Sequence, residues 1–320
     1  MHLVQSMAYT GPQPWHGLGN PLQPRQPLEV WARQAGMDWQ IDQAEVRYAA
    51  GDHDADPVHA YPEQKVLYRS DTRAPLSVVS NRYQVVQPRE VLEFYRDLTE
   101  VGGYELETAG VLKGGKKFWA LARTGQSTQL RGNDEVNGYL LLATACDGTL
   151  ATTAQFTSVR VVCNNTLAIA LGASQGAIKV PHRSQFDPQA VKRQLGIAIS
   201  SWDAFMSRIK TLADCKVSPS MAQTYYRRVL ARPEASPMPA PSARPDRTAE
   251  ALYGLFTGKG MGADLPSASG TAWGLLNAVT QFVDHERRAR SLDHRLDAAW
   301  FGTGATLKQR AWEEAMQLVA

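Results

Sequence analysis

Cysteine is scarce, with three in 320 residues, at 146, 163 and 215. They are too few and too far apart for a disulfide scaffold, and none forms a Cys-x-x-Cys metal pair. Long apolar runs are missing too: the longest, such as 138–145, fall far short of the ~20 residues a membrane helix needs. The first residues, with His2 and Gln5, lack the basic start and apolar stretch of a secretion signal. A cytoplasmic protein without a membrane segment is the expectation. Phosphate-cradling motifs are absent as well. Gly258-Lys259-Gly260-Met261-Gly262 and Gly302-Thr303-Gly304 are not followed by Gly-Lys-Ser/Thr. His16, His53, His59, His285 and His294 show no metal-ligand spacing, and Asp52–Asp56 lacks the rest of a calcium loop. The expectation is a non-enzyme that needs no cofactor. A nucleophilic Cys163 with His182 as base is the one enzymatic alternative, and no local group activates that thiol.

What is present is a composition able to build a core, 43% hydrophobic and 20% charged. The net charge of +3 conceals an asymmetry. Residues 1–100 carry 9 Lys/Arg against 13 Asp/Glu, whereas residues 155–232 carry 11 against 3. Such a basic stretch suits a polyanion, nucleic acid first among them. A solvated basic face balancing an acidic one explains it equally.

Glycine and proline spacing divides the chain. Residues 1–36 read as an irregular arm, with Trp15-His16-Gly17-Leu18-Gly19 in it, ending in a short helix that carries Leu28, Trp31 and Ala35 on one side. Residues 37–186 read as an α+β core. Short strands over 39–86 flank the acidic Asp52–Asp56 run, and Pro88 opens a helix with Val91, Leu92, Tyr95 and Leu98 as its stripe. Two hairpins follow: Tyr104–Leu112 with Lys116–Arg123 around Lys113-Gly114-Gly115, and Val136–Cys146 with Thr149–Cys163 around Asp147-Gly148. A helix is expected to start at Asn164-Asn165 and run through Leu171. Residues 187–232 read as a basic helical region, 233–246 as a proline-rich linker, and 247–320 as a helical tail. The fold class is therefore α+β, an antiparallel β-meander sheet with helices packed on one face and an α-helical C-terminal region.

Strand parity sends Phe156, Ser158, Arg160 and Val162 to one face and Thr157, Val159, Val161 and Cys163 to the other. With the second set as core, Arg160 stands on the open face beside the Asn164-Asn165 helix start, a ready anion site. A plain helix cap and a plain ion pair account for the same residues. Lys113, Lys116, Lys117 and Arg123 interleave with Trp119 on the first hairpin, the mixture that holds phosphates while stacking bases. Core packing explains Trp119 as well. Lys179, His182 and Arg183 extend the basic surface, or form a solvated loop.

Trp15–Gly19, Tyr83-Gln84-Val85-Val86, the Asp147-Gly148 hairpin and Arg160-Val161-Val162-Cys163-Asn164-Asn165-Thr166-Leu167 resemble a phage- and plasmid-borne family, domain of unknown function 932. Leu276–Thr280, Asp284–Arg287 and Ala299–Gly302 resemble it too. The family brings no activity with it. The order helix, antiparallel meander, helix is similar to the core of the single-strand annealing proteins of Redβ, RecT and Erf type. That topological likeness implies a ring- or filament-forming homo-oligomer that holds single-stranded DNA, or RNA, in a basic groove without nucleotide hydrolysis. The sites would be Lys113, Lys116, Lys117, Trp119, Arg123, Arg160, Asn164, Asn165, Lys179 and Arg183. The alternative is a counter-defence or interaction module that binds a host protein.

Overall fold

Strands make up most of the first 180 residues and helices the rest of the described chain. A computed structural model describes residues 6–11, 19–50, 57–100, 103–162, 165–168, 177–198, 201–231 and 247–320. Strands β1 (Ser6–Thr10) and β2 (Asn20–Leu22) precede helix α1 (Leu28–Gln34). Strands β3 (Ile41–Ala49), β4 (Val58–Arg69) and β5 (Pro75–Ser80) lead to helices α2 (Pro88–Glu93) and α3 (Arg96–Glu100). Then come β6 (Glu105–Leu112), β7 (Lys117–Leu130), β8 (Asp134–Ala145), β9 (Thr152–Arg160), β10 (Asn165–Ala168) and β11 (Ala177–Val180). Helices α4 (Pro188–Ala198), α5 (Ser201–Asp214) and α6 (Pro219–Leu230) follow. The chain ends in α7 (Arg247–Gly254), α8 (Ala272–Gln281), α9 (Leu292–Phe301) and α10 (Thr303–Gln317). The Trp15–Leu18 stretch, the Asp52–Asp56 run, Cys163, Asn164 and the proline-rich 233–246 segment lie outside the described residues.

The chain forms two compact units, each built from three segments of the sequence. Unit 1 comprises residues 1–125, 139–156 and 174–197. Its larger sheet runs β2-β1-β6-β7-β8-β9, and β11 pairs with β9. The meander from β6 to β9 follows the glycine turns, because Gly114 and Gly115 supply the positive φ (69° and 101°) that the first tight turn requires. The sheet is nevertheless not a pure antiparallel meander. β1 runs antiparallel to β6 but parallel to β2, so the sheet is mixed. Residues 6–10 belong to this sheet rather than to an irregular arm, with Met7, Ala8 and Tyr9 buried. Gly110 on β6 permits it, since a Cβ there would meet the Cβ of Met7 at 2.8 Å.

A second, three-stranded antiparallel sheet, β3-β4-β5, is also part of unit 1. Pro88 occupies the first turn of α2, where its missing N–H costs nothing, and Gln87 and Glu90 close a capping box. Just beyond α2, Tyr95 is fully buried, its hydroxyl 2.9 Å from the Ala120 carbonyl and 3.0 Å from that of Leu140. That contact lays the helical turn against the middle of β7 and β8.

Unit 2 comprises residues 126–138, 157–173 and 198–320. Its centre is α8, buried along its whole length, as expected of a helix that is apolar on all sides. Thr271 caps it by accepting from the Gly274 N–H. Tyr225 of α6 donates to the Ala311 carbonyl of α10, and Phe205 of α5 stacks on Trp312 at 5.2 Å.

Candidate nucleic-acid interface

Four turns converge at one end of the larger sheet in unit 1, and backbone groups lock them together. The Cys146 N–H bonds the Lys116 carbonyl at 2.8 Å, joining the β6–β7 turn to the β8–β9 turn. Ser77 Oγ donates to the Cys146 carbonyl at 2.6 Å, and Tyr83 Oη to that of Ala145 at 2.7 Å. The Gln84 N–H reaches the His182 carbonyl, while His182 Nε2 lies 2.9 Å from the Leu150 carbonyl. The His182 ring stacks on Tyr83 with centroids 4.5 Å apart.

These turns gather cations. Arg82, Lys179 and Arg183 are exposed and Lys116 is half-exposed, and none has a carboxylate partner among the described residues. Lys113 lies on the same end, within the β6–β7 turn. β7 and β11 are three strands apart, so the set spreads over about 14 Å at the usual inter-strand spacing. Nearby acids are already engaged. Asp147 accepts from the N–H and hydroxyl of Thr149, and Asp71 grips Arg69 through both oxygens, at 2.9 and 2.7 Å. Hydrogen bonding to Arg69 holds the Asp71 carboxyl at about 2. The Arg69 guanidinium lies 4.1 Å over the Trp39 ring, so it props the turn from below rather than meeting solvent.

Four of the ten residues expected from the sequence meet here: Lys113, Lys116, Lys179 and Arg183. The others do not. Lys117 and Trp119 are 2% and 1% exposed, because both faces of β7 are covered at this level, so Trp119 presents no ring to a base. Arg123 sits six residues further along β7, roughly 20 Å away at ~3.3 Å per residue. There it pairs with Glu107 at 2.8 Å. Asn164 lies outside the described residues, and Asn165 begins a strand.

Arg160 is a correction of a different kind. It is 2% exposed, and its guanidinium grips the fully buried Asp134 in unit 2, Nε to Oδ1 at 2.6 Å and Nη2 to Oδ2 at 2.8 Å. Ser267 Oγ and Trp273 Nε1 also donate to Asp134, and Arg160 Nη2 reaches the Gly262 carbonyl at 3.1 Å. The face holding Ser158 and Arg160 is thus covered, not open, roofed by α8 and the 262–267 loop. On the other face Thr157 is buried and Val159 half-buried as expected, while Val161 and Val162, past the strand's end, are exposed. A cavity there has room for about one water molecule. Nor does a helix begin at Asn165: β10 pairs antiparallel with β9, Asn165 opposite Arg160. Thr166 anchors it, giving its N–H to Asp284 Oδ2 at 2.8 Å, while Lys308 Nζ reaches Asp284 Oδ1 and Thr166 Oγ1, both at 2.8 Å. The expected anion-binding helix start is a strand instead.

Sequence reasoning missed Arg82, although it directly precedes the Tyr83–Val86 motif, and missed the role of Tyr83 as the partner of His182. The site offers positive charge and one aromatic stack. Its thiol is unsuited to nucleophilic work, because burial, then the Asp147 charge, pushes Cys146 up to about 12. No described helix is long and apolar enough to cross a membrane.

These features define an α+β protein with a mixed sheet, a separate three-stranded sheet and a helical C-terminal unit. The chain belongs to the family described as Domain of unknown function (DUF932), whose model matches residues 75–300. No curated protein and no solved structure matches it.

Proposed function

We propose that the protein binds single-stranded nucleic acid at the turn end of unit 1, as an oligomeric annealing protein of a phage or plasmid, without cofactor or nucleotide hydrolysis. Arg82, Lys113, Lys116, Lys179 and Arg183 neutralise successive phosphates, and the Tyr83–His182 stack is the aromatic surface beside them. The carrying observation is the convergence, on hydrogen-bonded turns, of Arg82, Lys116, Lys179 and Arg183, which lack carboxylate partners among the described residues. Such cations, carried on hydrogen-bonded turns, neutralise phosphates and release the counterions condensed on the polyanion.

Fluorescence anisotropy with a labelled single-stranded oligonucleotide tests this reading. Binding is expected at low salt and falls steeply as salt rises. Joint Lys116→Glu, Lys179→Glu and Arg183→Glu substitution abolishes it without unfolding the chain. Undetectable binding at low salt, or full binding by the triple variant, refutes the proposal.

A further inference from the structure

β3 is the edge strand of the three-stranded sheet, and most of it is open to solvent: Gln43, Ala44, Glu45, Arg47, Tyr48 and Ala49 are exposed and Val46 is half-buried. The direction of its backbone groups follows from one contact. Ile41 gives its N–H to Gln87 Oε1 at 2.8 Å and accepts from Gln87 Nε2 at 3.2 Å, on the side away from β4. Along a strand these groups alternate sides, so Gln43, Glu45, Arg47 and Ala49 also turn theirs away from β4. Past Ile41, no hydrogen bond among the described residues satisfies that outer row. The β3–β4 register shifts between Glu45 and Val46, where the extra residues 62–64 lie on β4 and β3 itself runs on without an insertion. An exposed edge of this kind is a template for another strand.

We infer that β3 pairs antiparallel with β3 of a second copy of this chain, about a two-fold axis through Val46. Only registers that bring outward groups against outward groups form a ladder. The long overlaps centre on Glu45, on Val46 or on Arg47. A Glu45 centre sets two carboxylates face to face, and an Arg47 centre two guanidiniums. The Val46 centre uses all four outward residues. Within one strand Arg47 Nε already donates to Glu45 Oε2 at 2.9 Å, on the exposed surface. The Val46 register sets that pair against its inverse, Glu45 opposite Arg47 of the second copy on both sides of the axis, and Gln43 opposite Ala49 of the second copy.

The other face of the strand selects the same register. Val46 meets its own copy on the axis, and Tyr48, 50% exposed, falls opposite the small Ala44 of the second copy. Tyr61 and His59, which pair with Val46 and Tyr48 across the β3–β4 ladder, continue that apolar face. Charge and size both make the edge complementary to itself, the condition an isologous dimer needs and an unrelated strand does not meet. The inference is independent of the nucleic-acid reading, since neither Glu45 nor Arg47 belongs to the turn-end cations.

Sedimentation of the full chain over a concentration series tests it. The wild type dimerises reversibly. Glu45→Arg alone and Arg47→Glu alone each set like charges opposite one another twice and weaken the dimer at least ~10-fold. The double variant Glu45→Arg/Arg47→Glu restores it, and an equimolar mixture of the two single variants forms a heterodimer. A wild type that stays monomeric overturns the inference. So do single variants as tight as wild type, or a double variant and mixture that both fail to associate. Should a variant misfold, hydrogen exchange on the wild type decides: the Glu45 and Arg47 amides gain protection with concentration, and concentration-independent exchange overturns the register.

Discussion

Arg160 and Asp134 close on one another as a two-pronged ion pair inside unit 2, their side chains 2% and 0% exposed. The Ser267 hydroxyl and the Trp273 indole N–H share Asp134 Oδ2, so both carboxylate oxygens are met by donors. Burying such a pair contributes little net stability, but removing one partner strands the other charge. Arg160→Ala is therefore expected to cost about 3–5 kcal/mol in denaturant unfolding. Nucleic-acid affinity per folded molecule is expected to stay unchanged. A variant as stable as wild type but defective in binding would restore Arg160 as a contact residue.

The second buried pair fixes a strand instead of a turn. Lys308 and Asp284, both 6% exposed at the side chain, meet at 2.8 Å and together hold Thr166 of β10. Lys308→Met is expected to destabilise the chain by ~3 kcal/mol or more, through the uncompensated Asp284 charge. Thr166→Val removes only hydroxyl bonds and costs about 1 kcal/mol. Hydrogen exchange by mass spectrometry locates the effect: β10 loses protection in Lys308→Met, whereas the capping of α6 by Ser218 is untouched. Loss of protection spread evenly over unit 2 would falsify this assignment.

Under the proposed single-strand binding, counterion release makes the turn end measurable cation by cation. For single strands the slope of log K against log salt changes by about 0.7 for each phosphate that no longer meets a cation. Arg82→Ala, Lys116→Ala, Lys179→Ala and Arg183→Ala are each expected to flatten the slope by about that amount. Arg123→Ala, whose charge is spent on Glu107, leaves it unchanged. Equal slopes for the Arg183→Ala and wild-type proteins would remove Arg183 from the interface.

Local chemistry made part of this architecture legible. Lys113-Gly114-Gly115 and Asp147-Gly148 specify their turns, Pro88 its helix start, and the four-residue spacing of Val191 and Leu195 the buried side of α4, because each signal acts within a few residues. β10 escaped because Asn164-Asn165-Thr166 is a good cap locally, whereas Asp284 and Lys308, more than a hundred residues away, claim Thr166 for a strand. Parity separated Arg160 from Val161 correctly, but parity cannot say which face is roofed. The roof, Gly262 to Trp273, lies as far along the chain. β1 was hidden by the glycines and prolines around it. At the candidate site the sequence supplied the cations, and the turns that bring Lys116 and Arg183 to the same end of the sheet are tertiary.

The alkaline limb of stability reports on the base of the same site. Cys146 has its thiol raised to about 12 by burial and by Asp147, with Lys116 pulling the other way. In the unfolded chain a thiol loses its proton near ~8.5. Above that pH the unfolded state holds fewer protons than the folded one, so stability falls as pH rises. Tyr83, Tyr95 and Tyr139, all raised by burial, add to the fall once pH passes ~10, where free tyrosines ionise. The urea midpoint is therefore expected to decline from about pH 8.5, and Cys146→Ala to flatten the decline between about 8.5 and 10 while leaving the steeper part above it. Alkylation gives an independent check: at pH ~8.5 native Cys146 reacts slowly with iodoacetamide and half-buried Cys215 faster, by peptide mass spectrometry. Rapid native labelling of Cys146, or an unaltered slope in Cys146→Ala, would show that the thiol is not sealed beneath the turns that carry Lys116.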